Sequence, residues 1–256
     1  MTSNNIGKLF FKEYYEGVDF GFALSDKPAD SDSIAKVKDV NNTIKQSQLI
    51  PIDRPIEGLH TFTATILYPG LITGVGLVHY SKGIAGGYNL GMHFDYTTGM
   101  PIVYGSSVKG VLSSFFEEFY DGEMDKKKLA DAIFKGKDPN ARDGYLPVYQ
   151  RDVFFNAVIT AVHKHKTSNG QSNQQFLVDD SITPHTGGPL KNPNPIAMLK
   201  IAAGCTIEFR FLLRDTTIGN MTFRANEKLN LFKRILGTVG VGAKTNVGYG
   251  QLKINQ

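Results

Sequence analysis

Cysteine is almost missing from this 256-residue chain: Cys205 stands alone. One cysteine excludes an intrachain disulfide framework and any cysteine-rich zinc module, so Cys205 reads as a buried strand residue in a reducing compartment. Long apolar runs are missing too. No stretch approaches the roughly 18 residues that cross a bilayer. The first thirty residues, MTSNNIGKLFFKEYYEGVDFGFALSDKPAD, carry charges throughout and never reach the run of roughly 7 to 15 apolar residues of a signal peptide. A cytoplasmic protein is expected.

What is present is a chain that is 41% hydrophobic, enough for a real core. The formal net charge is +4, but it is unevenly spread. Residues 151–256 hold 13 Lys and Arg against 6 Asp and Glu, while residues 1–150 hold 15 against 18. Such asymmetry fits either a polyanionic partner or a solvated basic face.

Residues 25–47 are polar and Asp/Lys-rich, which predicts a loop or a weak peripheral helix, with residues 1–58 as a peripheral segment and the core beginning after them. LHTFTATILY (59–68) alternates Phe62, Ala64, Ile66 and Tyr68 with threonines, the period of a half-buried strand. The glycine-laden stretch after it predicts short hairpin strands. GSSVKGVLSSFFEEFY places Val108, Val111, Leu112, Phe115, Phe116 and Phe119 on one helical face, with Ser106 or Ser107 as N-cap. DVFFNAVITAV (152–162) and TIEFRFLL (206–213) read as strands, separated by more than forty residues of little periodicity. NEKLNLFKRILG (226–237) reads as a helix capped by Asn226, with Leu229, Phe232, Ile235 and Leu236 inward; YGQLKI (249–254) reads as a final strand. The order β-α-β-β-α-β predicts an α+β, ferredoxin-like (RRM-like) core with large insertions.

Two glycine-rich stretches carry candidate chemistry. In LGTVGVGAKTNVGYGQLKI, Gly237 and Gly242 have the spacing of a P-loop, but Ala243 separates them from Lys244-Thr245. The stretch also follows a helix and precedes a strand, the reverse of what phosphate binding by an NTPase needs. Five glycines, Gly237, Gly240, Gly242, Gly248 and Gly250, are nonetheless more than a turn requires unless the backbone approaches something closely. In GMPIVYGSSVKG, Lys109 sits in the first helical turn, where the macrodipole disfavours a cation unless an anion draws it there.

TGVG, GMHFDYTTGMPIVYGSSVKGVL, VFFNA, DDSITPH, NPNPIAMLKI and GVGAKTNVGYGQL resemble the RAMP proteins of type III CRISPR systems, most closely the sixth-subunit branch of the Cmr (type III-B) effector. The likeness runs from about residue 59 to the end; the combination of ITPH, NPNPI and GAKTNVGYG is more specific than GSSVKG alone. It implies a non-catalytic subunit of an antiviral ribonucleoprotein, holding the 3′ part of the guide RNA and the guide-target duplex. The implied partners are guide RNA, complementary target RNA, the backbone RAMP subunit, the head RAMP subunit and the small helical subunit. No cofactor is implied.

On that resemblance Gly105 to Gly110 and Gly240 to Gly250 are RNA-contacting loops, and residues 163–195 form a long inserted β-hairpin, or thumb. The residue chemistry agrees: Gly105, Ser106, Ser107, Lys109, Gly110, Gly240, Gly242, Lys244, Thr245, Asn246 and Gly248 offer donors to phosphate oxygens without reading bases, with Lys164, Lys166 and His185 added by the insertion. The rival class is a metal-independent endoribonuclease that processes precursor guide RNA, with His163, His165, Asp179, Asp180 and His185 as acid and base. Their spacing matches no metal motif, and DDSITPH reads better as a turn capped by Asp180 or Ser181 and stiffened by Pro184.

Overall fold

The computed structural model describes residues 5–24, 28–50, 56–74, 76–79, 84–138, 141–162, 165–166, 172–173, 175–183 and 195–256. In chain order its main elements are α1 (Ile6–Phe11), α2 (Ser31–Gln46), β1 (His60–Ile66), β2 (Ile102–Val103), α3 (Gly105–Phe119) and α4 (Lys126–Ala130). There follow β3 (Val153–Phe154), β4 (Ala157–Ala161), β5 (His165–Lys166), β6 (Ser172–Asn173), β7 (Leu177–Ile182) and β8 (Ile196–Ile201). The chain ends with β9 (Thr206–Leu212), β10 (Thr216–Ile218), β11 (Met221–Phe223), α5 (Ala225–Val239) and β12 (Leu252–Ile254).

The principal sheet is antiparallel and ordered β12-β1-β9-β4-β2, with β3 also paired to β9. The alternation in β1 does what its pattern requires as far as Ile66; Tyr68, read as the next inward residue, lies past the end of the strand and is 87% exposed. Phe62, Ala64 and Ile66 are buried, Phe62 lies opposite Phe209 of β9, and their rings stack at 5.0 Å. On the covered face α3 contributes Val108, Leu112 and Phe116, and α5 contributes Phe232, Ile235 and Leu236. Phe232 meets Phe211 at 5.5 Å and Phe154 at 5.9 Å. Each such ring contributes about 1.5–3 kcal/mol by leaving water.

The single strand expected over 152–162 is two pieces. Phe155 still donates its N–H to Arg210 O, but the Asn156 side chain turns to accept from the Gly105 N–H at 2.9 Å. Breaking the strand there ties it to the first turn of α3. The helix starts at Gly105 with Tyr104 as N-cap, not Ser106 or Ser107, because the Tyr104 carbonyl already accepts from Ser107 and Val108. Likewise α5 is capped at Arg224 rather than Asn226: Glu227 accepts from the Arg224 N–H at 2.7 Å, and Asp215 accepts from Ala225 at 2.8 Å.

Four further expectations change. The segment ahead of β1, read as peripheral, buries Ile6, Phe10, Tyr14, Val37 and Ile44 in the same cluster as the sheet, and residues 31–46 form a full helix. His79 fixes α1 there, its Nε2 facing Phe10 O at 2.7 Å and its Nδ1 facing Tyr88 O at 2.9 Å. The glycine-laden stretch forms no extended strands among its described residues; its antiparallel pairing is limited to the bridges Leu77 to Leu90 and Phe94 to Pro101, with Leu71 bridging to Ile201. Asp179 to Ile182 are not a turn but part of β7, paired in register with β8 from Leu177–Ile201 to Ile182–Ile196. Finally, Lys228 is buried on α5 while Leu229 is only partly so. No described helix is long and apolar enough to cross a membrane.

Candidate nucleic-acid interface

The link from α5 to β12 is shaped by its own packing. Gly240 ends α5 with φ +74°, and its N–H reaches back to Leu236 O. Buried Val241 then donates to Gly250 O at 3.0 Å, Ala243 donates to Ile72 O at 2.8 Å, and Gly250 donates to Gly70 O at 2.8 Å. A Cβ on Gly250 would overlap the Val241 carbonyl oxygen, and one on Gly242 would overlap that of Ile72. The close approach announced by these glycines is therefore, at positions 242 and 250, an approach to the protein's own backbone.

That packing leaves an arch from Lys244 to Val247 standing above it. Lys244 has φ +58°, a left-handed conformation that costs an L-residue about 1–2 kcal/mol. Thr245–Val247 follow as a single 3-10 turn, closed by Val247 N–H to Lys244 O, Gly248 N–H to Thr245 O and the Gln251 amide to Thr245 O. The amides of Gly242, Lys244, Thr245 and Asn246 donate to no acceptor among the described residues. A left-handed residue followed by a helical turn gathers such amides into a concave nest that suits an anion. Lys244 and Asn246 are exposed beside it.

The other glycine stretch is more self-satisfied. Gly105 N–H is taken by Asn156 and Ser107 N–H by Tyr104 O, so the first turn of α3 keeps little free donor capacity beyond the exposed Ser106. Gly105 is needed because a Cβ would strike the Phe154 carbonyl, whereas Gly110 faces open space. The Lys109 ammonium lies 5.8 Å from the Phe154 ring centre, a cation–π placement that accounts for a cation in this turn without any anion. The two stretches are linked. Ile72 receives Ala243, the neighbouring Thr73 hydroxyl accepts from His93 N–H at 2.9 Å, and the His93 ring stacks on Tyr104 at 4.2 Å.

Of the remaining candidates, Lys164, His163 and His185 lie outside the described residues. Lys166 and His165 belong to β5, which pairs with β6, and nothing is described of their side chains. Asp179 accepts from the Tyr88 hydroxyl and pairs with Lys45. Asp180 pairs with Lys200 and accepts from the Tyr249 hydroxyl at 2.8 Å. Burial pushes the Asp180 carboxyl up, but the bonds from Lys200 and Tyr249 outweigh it and hold the group below its ordinary range. Both carboxylates are thus committed to holding the β7–β8 hairpin to α2 and to the final loop. Among the described residues no group of three or more His, Cys, Asp or Glu is placed to hold a metal. The sequence pointed to this loop and to backbone donors within it; which amides stay unpaired, and the left-handed turn at Lys244 that gathers them, come from the structure.

The class defined by these features is an antiparallel α+β protein with an exposed, donor-lined loop between its last helix and last strand. The model for the RAMP superfamily matches residues 63–253, and the chain belongs to that superfamily. No curated protein matches it. Among solved structures it is similar to a chain of the type III-B Cmr-beta complex, seen by cryo-EM bound to cognate target RNA. The identity is 17% over all of this chain and 92% of that one, with a TM-score of 0.51. It is also similar to Cmr6 from Pyrococcus furiosus (19% identity, 78% and 100% covered, TM-score 0.36) and to oligomeric Cmr4 from the same organism (14%, 77% and 98%, TM-score 0.32). At 17% identity the first likeness speaks for a shared fold, and the other two add nothing to it.

Proposed function

We propose that this chain is a non-catalytic RNA-binding subunit of a type III-B CRISPR effector, of the kind of the sixth Cmr subunit. It holds the 3′ part of the guide RNA and the guide-target duplex beside the backbone and head RAMP subunits and the small helical subunit, in the cytoplasm. Residues 59–256 are then the RAMP domain, built on a ferredoxin-like core, with 163–195 as its thumb. RAMP membership supports this reading, as does the fold shared with a chain of an effector bound to target RNA. So does the order β12-β1-β9-β4, in which the four strands of the β-α-β-β-α-β series interleave as first, second, third and fourth in the pattern 4-1-3-2.

The observation that carries the proposal is the Lys244–Asn246 arch: main-chain donors, a lysine and an asparagine, exposed together, with no acceptor among the described residues. Such a surface suits phosphate oxygens and is blind to sequence, which fits a complex whose specificity resides in base pairing. Asp179 and Asp180, two of the five acid–base candidates of a processing nuclease, are instead occupied by Lys45, Tyr88, Lys200 and Tyr249. The test is RNA binding and cleavage by the purified chain, with and without divalent metal. Salt-sensitive binding without cleavage is expected; RNA cutting that His163→Ala, His185→Ala, Asp179→Asn or Asp180→Asn abolishes would overturn the non-catalytic assignment.

A further inference from the structure

Bonded to the root of the glycine loop is a turn that carries an exposed aromatic side chain. Tyr68 sits at the tip of the turn Leu67–Gly70, closed by Gly70 N–H to Leu67 O at 2.9 Å. Both shoulders of this turn are bonded to the root of the glycine loop, Leu67 N–H to Gln251 O at 2.9 Å and Gly250 N–H to Gly70 O at 2.8 Å. Pro69 comes close to the loop again, its Cδ 3.6 Å from where a Cβ on Gly248 would lie. The tip is thus bonded to the root from which the arch rises. Tyr68 is 87% exposed and has no ring or hydrogen-bond partner among the described residues.

We infer that Tyr68 is a stacking platform for one base of the RNA strand whose backbone rests on the Lys244–Asn246 arch; the inference rests on the RNA-holding role proposed above. An exposed tyrosine is by itself unremarkable. What singles this one out is its place on a turn bonded to the root of the loop that carries the unpartnered phosphate donors. A strand held by its phosphates directs its bases away from the backbone, and an aromatic face next to the contact offers them sequence-tolerant stacking. With two torsions to restrain, tyrosine does this at low entropic cost. Tyr96 is 98% exposed in the Asp95–Gly99 turn, where Asp95 consumes the nearby donors of Thr97 and Thr98, so it serves as the matched control.

The chain contains no tryptophan, so Tyr68→Trp introduces a sole indole reporter. The experiment titrates the purified full-length variant with a mixed-sequence single-stranded RNA and follows indole emission, with affinity measured separately by anisotropy of end-labelled RNA. Tyr68→Trp is expected to bind like wild type with quenched emission, and Tyr68→Phe to bind like wild type. Tyr68→Ala is expected to bind roughly 5- to 150-fold more weakly with an unchanged salt slope, the fold-change of one lost base–aromatic stack, and Tyr96→Ala to bind unchanged. Binding of Tyr68→Trp without quenching, or wild-type affinity in Tyr68→Ala, would overturn the stacking role and leave the arch intact. Absence of salt-sensitive binding in wild type would overturn both.

Discussion

Replacing Lys228 with methionine tests the packing that holds α5, and with it the glycine loop, against the sheet. The side chain is 0% exposed, and its ammonium bonds to Asp152 Oδ2 at 2.6 Å, Arg214 O at 2.6 Å and Thr216 Oγ1 at 2.7 Å. Asp152 is 3% exposed and, among the described residues, keeps only the Arg214 N–H, at 2.7 Å on its other oxygen, when the lysine is gone. Methionine matches the length of the stem and fills the space, so the change isolates the charge. Stranding one member of a buried pair costs about 3–5 kcal/mol, a large share of the ~5–15 kcal/mol typical of a folded domain. Replacing both members, Lys228→Met with Asp152→Leu, removes the stranded carboxylate and leaves about 1–3 kcal/mol of loss from the unpaired Arg214 and Thr216 groups. Urea unfolding followed by far-UV circular dichroism reads both. A Lys228→Met variant within 1 kcal/mol of wild type (the scale of an exposed pair), or a double variant no more stable than the single one, would refute the buried-pair reasoning.

Gly250→Ala is expected to lose at least about 2 kcal/mol, since φ is +67° and the new Cβ overlaps Val241 O; thermal unfolding that matches wild type would contradict the packing of the loop. Gly110→Ala is expected to gain about 0.5–1 kcal/mol, because this glycine lies within α3 and faces open space, and the same melting experiment checks it. The Asp131 carboxyl is held down at about 2 by bonds from Lys135 and Lys137, at 2.7 and 2.8 Å. Because this folded pKa lies below the unfolded one, the contribution is present above the ordinary carboxylate range and is lost as pH falls through about 2. Carboxyl-carbon NMR titration should find that midpoint and see it rise in Lys135→Ala.

Elements with one buried face were legible in the sequence. β1, β9, α3 and α5 each announce a period of 2 or 3.6 because their large inner residues are apolar, with Lys228 of α5 the exception. α2 buries Val37 and Ile44 but also Asn41, which is satisfied by Tyr14 and by Gly86 O, and that polar residue blurs its stripe. β7 was hidden for a similar reason. Its Asp179 and Asp180 look like loop residues until Lys45, 134 positions away, and Lys200 are seen to neutralise them. Lys228 could not be read as buried without Asp152, 76 positions away. The β10–β11 hairpin did carry a local signal, Gly219-Asn220 between two short apolar-and-threonine runs. At the candidate site the glycine density and Lys244 were visible. What the glycines approach was not, because Gly70 and Ile72 lie far off in the chain and act through carbonyl oxygens that no residue type reveals.

On the function proposed above, the Lys244–Asn246 arch grips RNA through the phosphate backbone. The most direct measurement is the slope of log affinity against log salt for single-stranded RNA, in wild type and in Lys244→Ala. A linear fall in wild type, with the slope shallower by about 0.7 in the variant for RNAs of any sequence, is what one lost phosphate contact predicts. Equal slopes and equal affinities in the two proteins would contradict it.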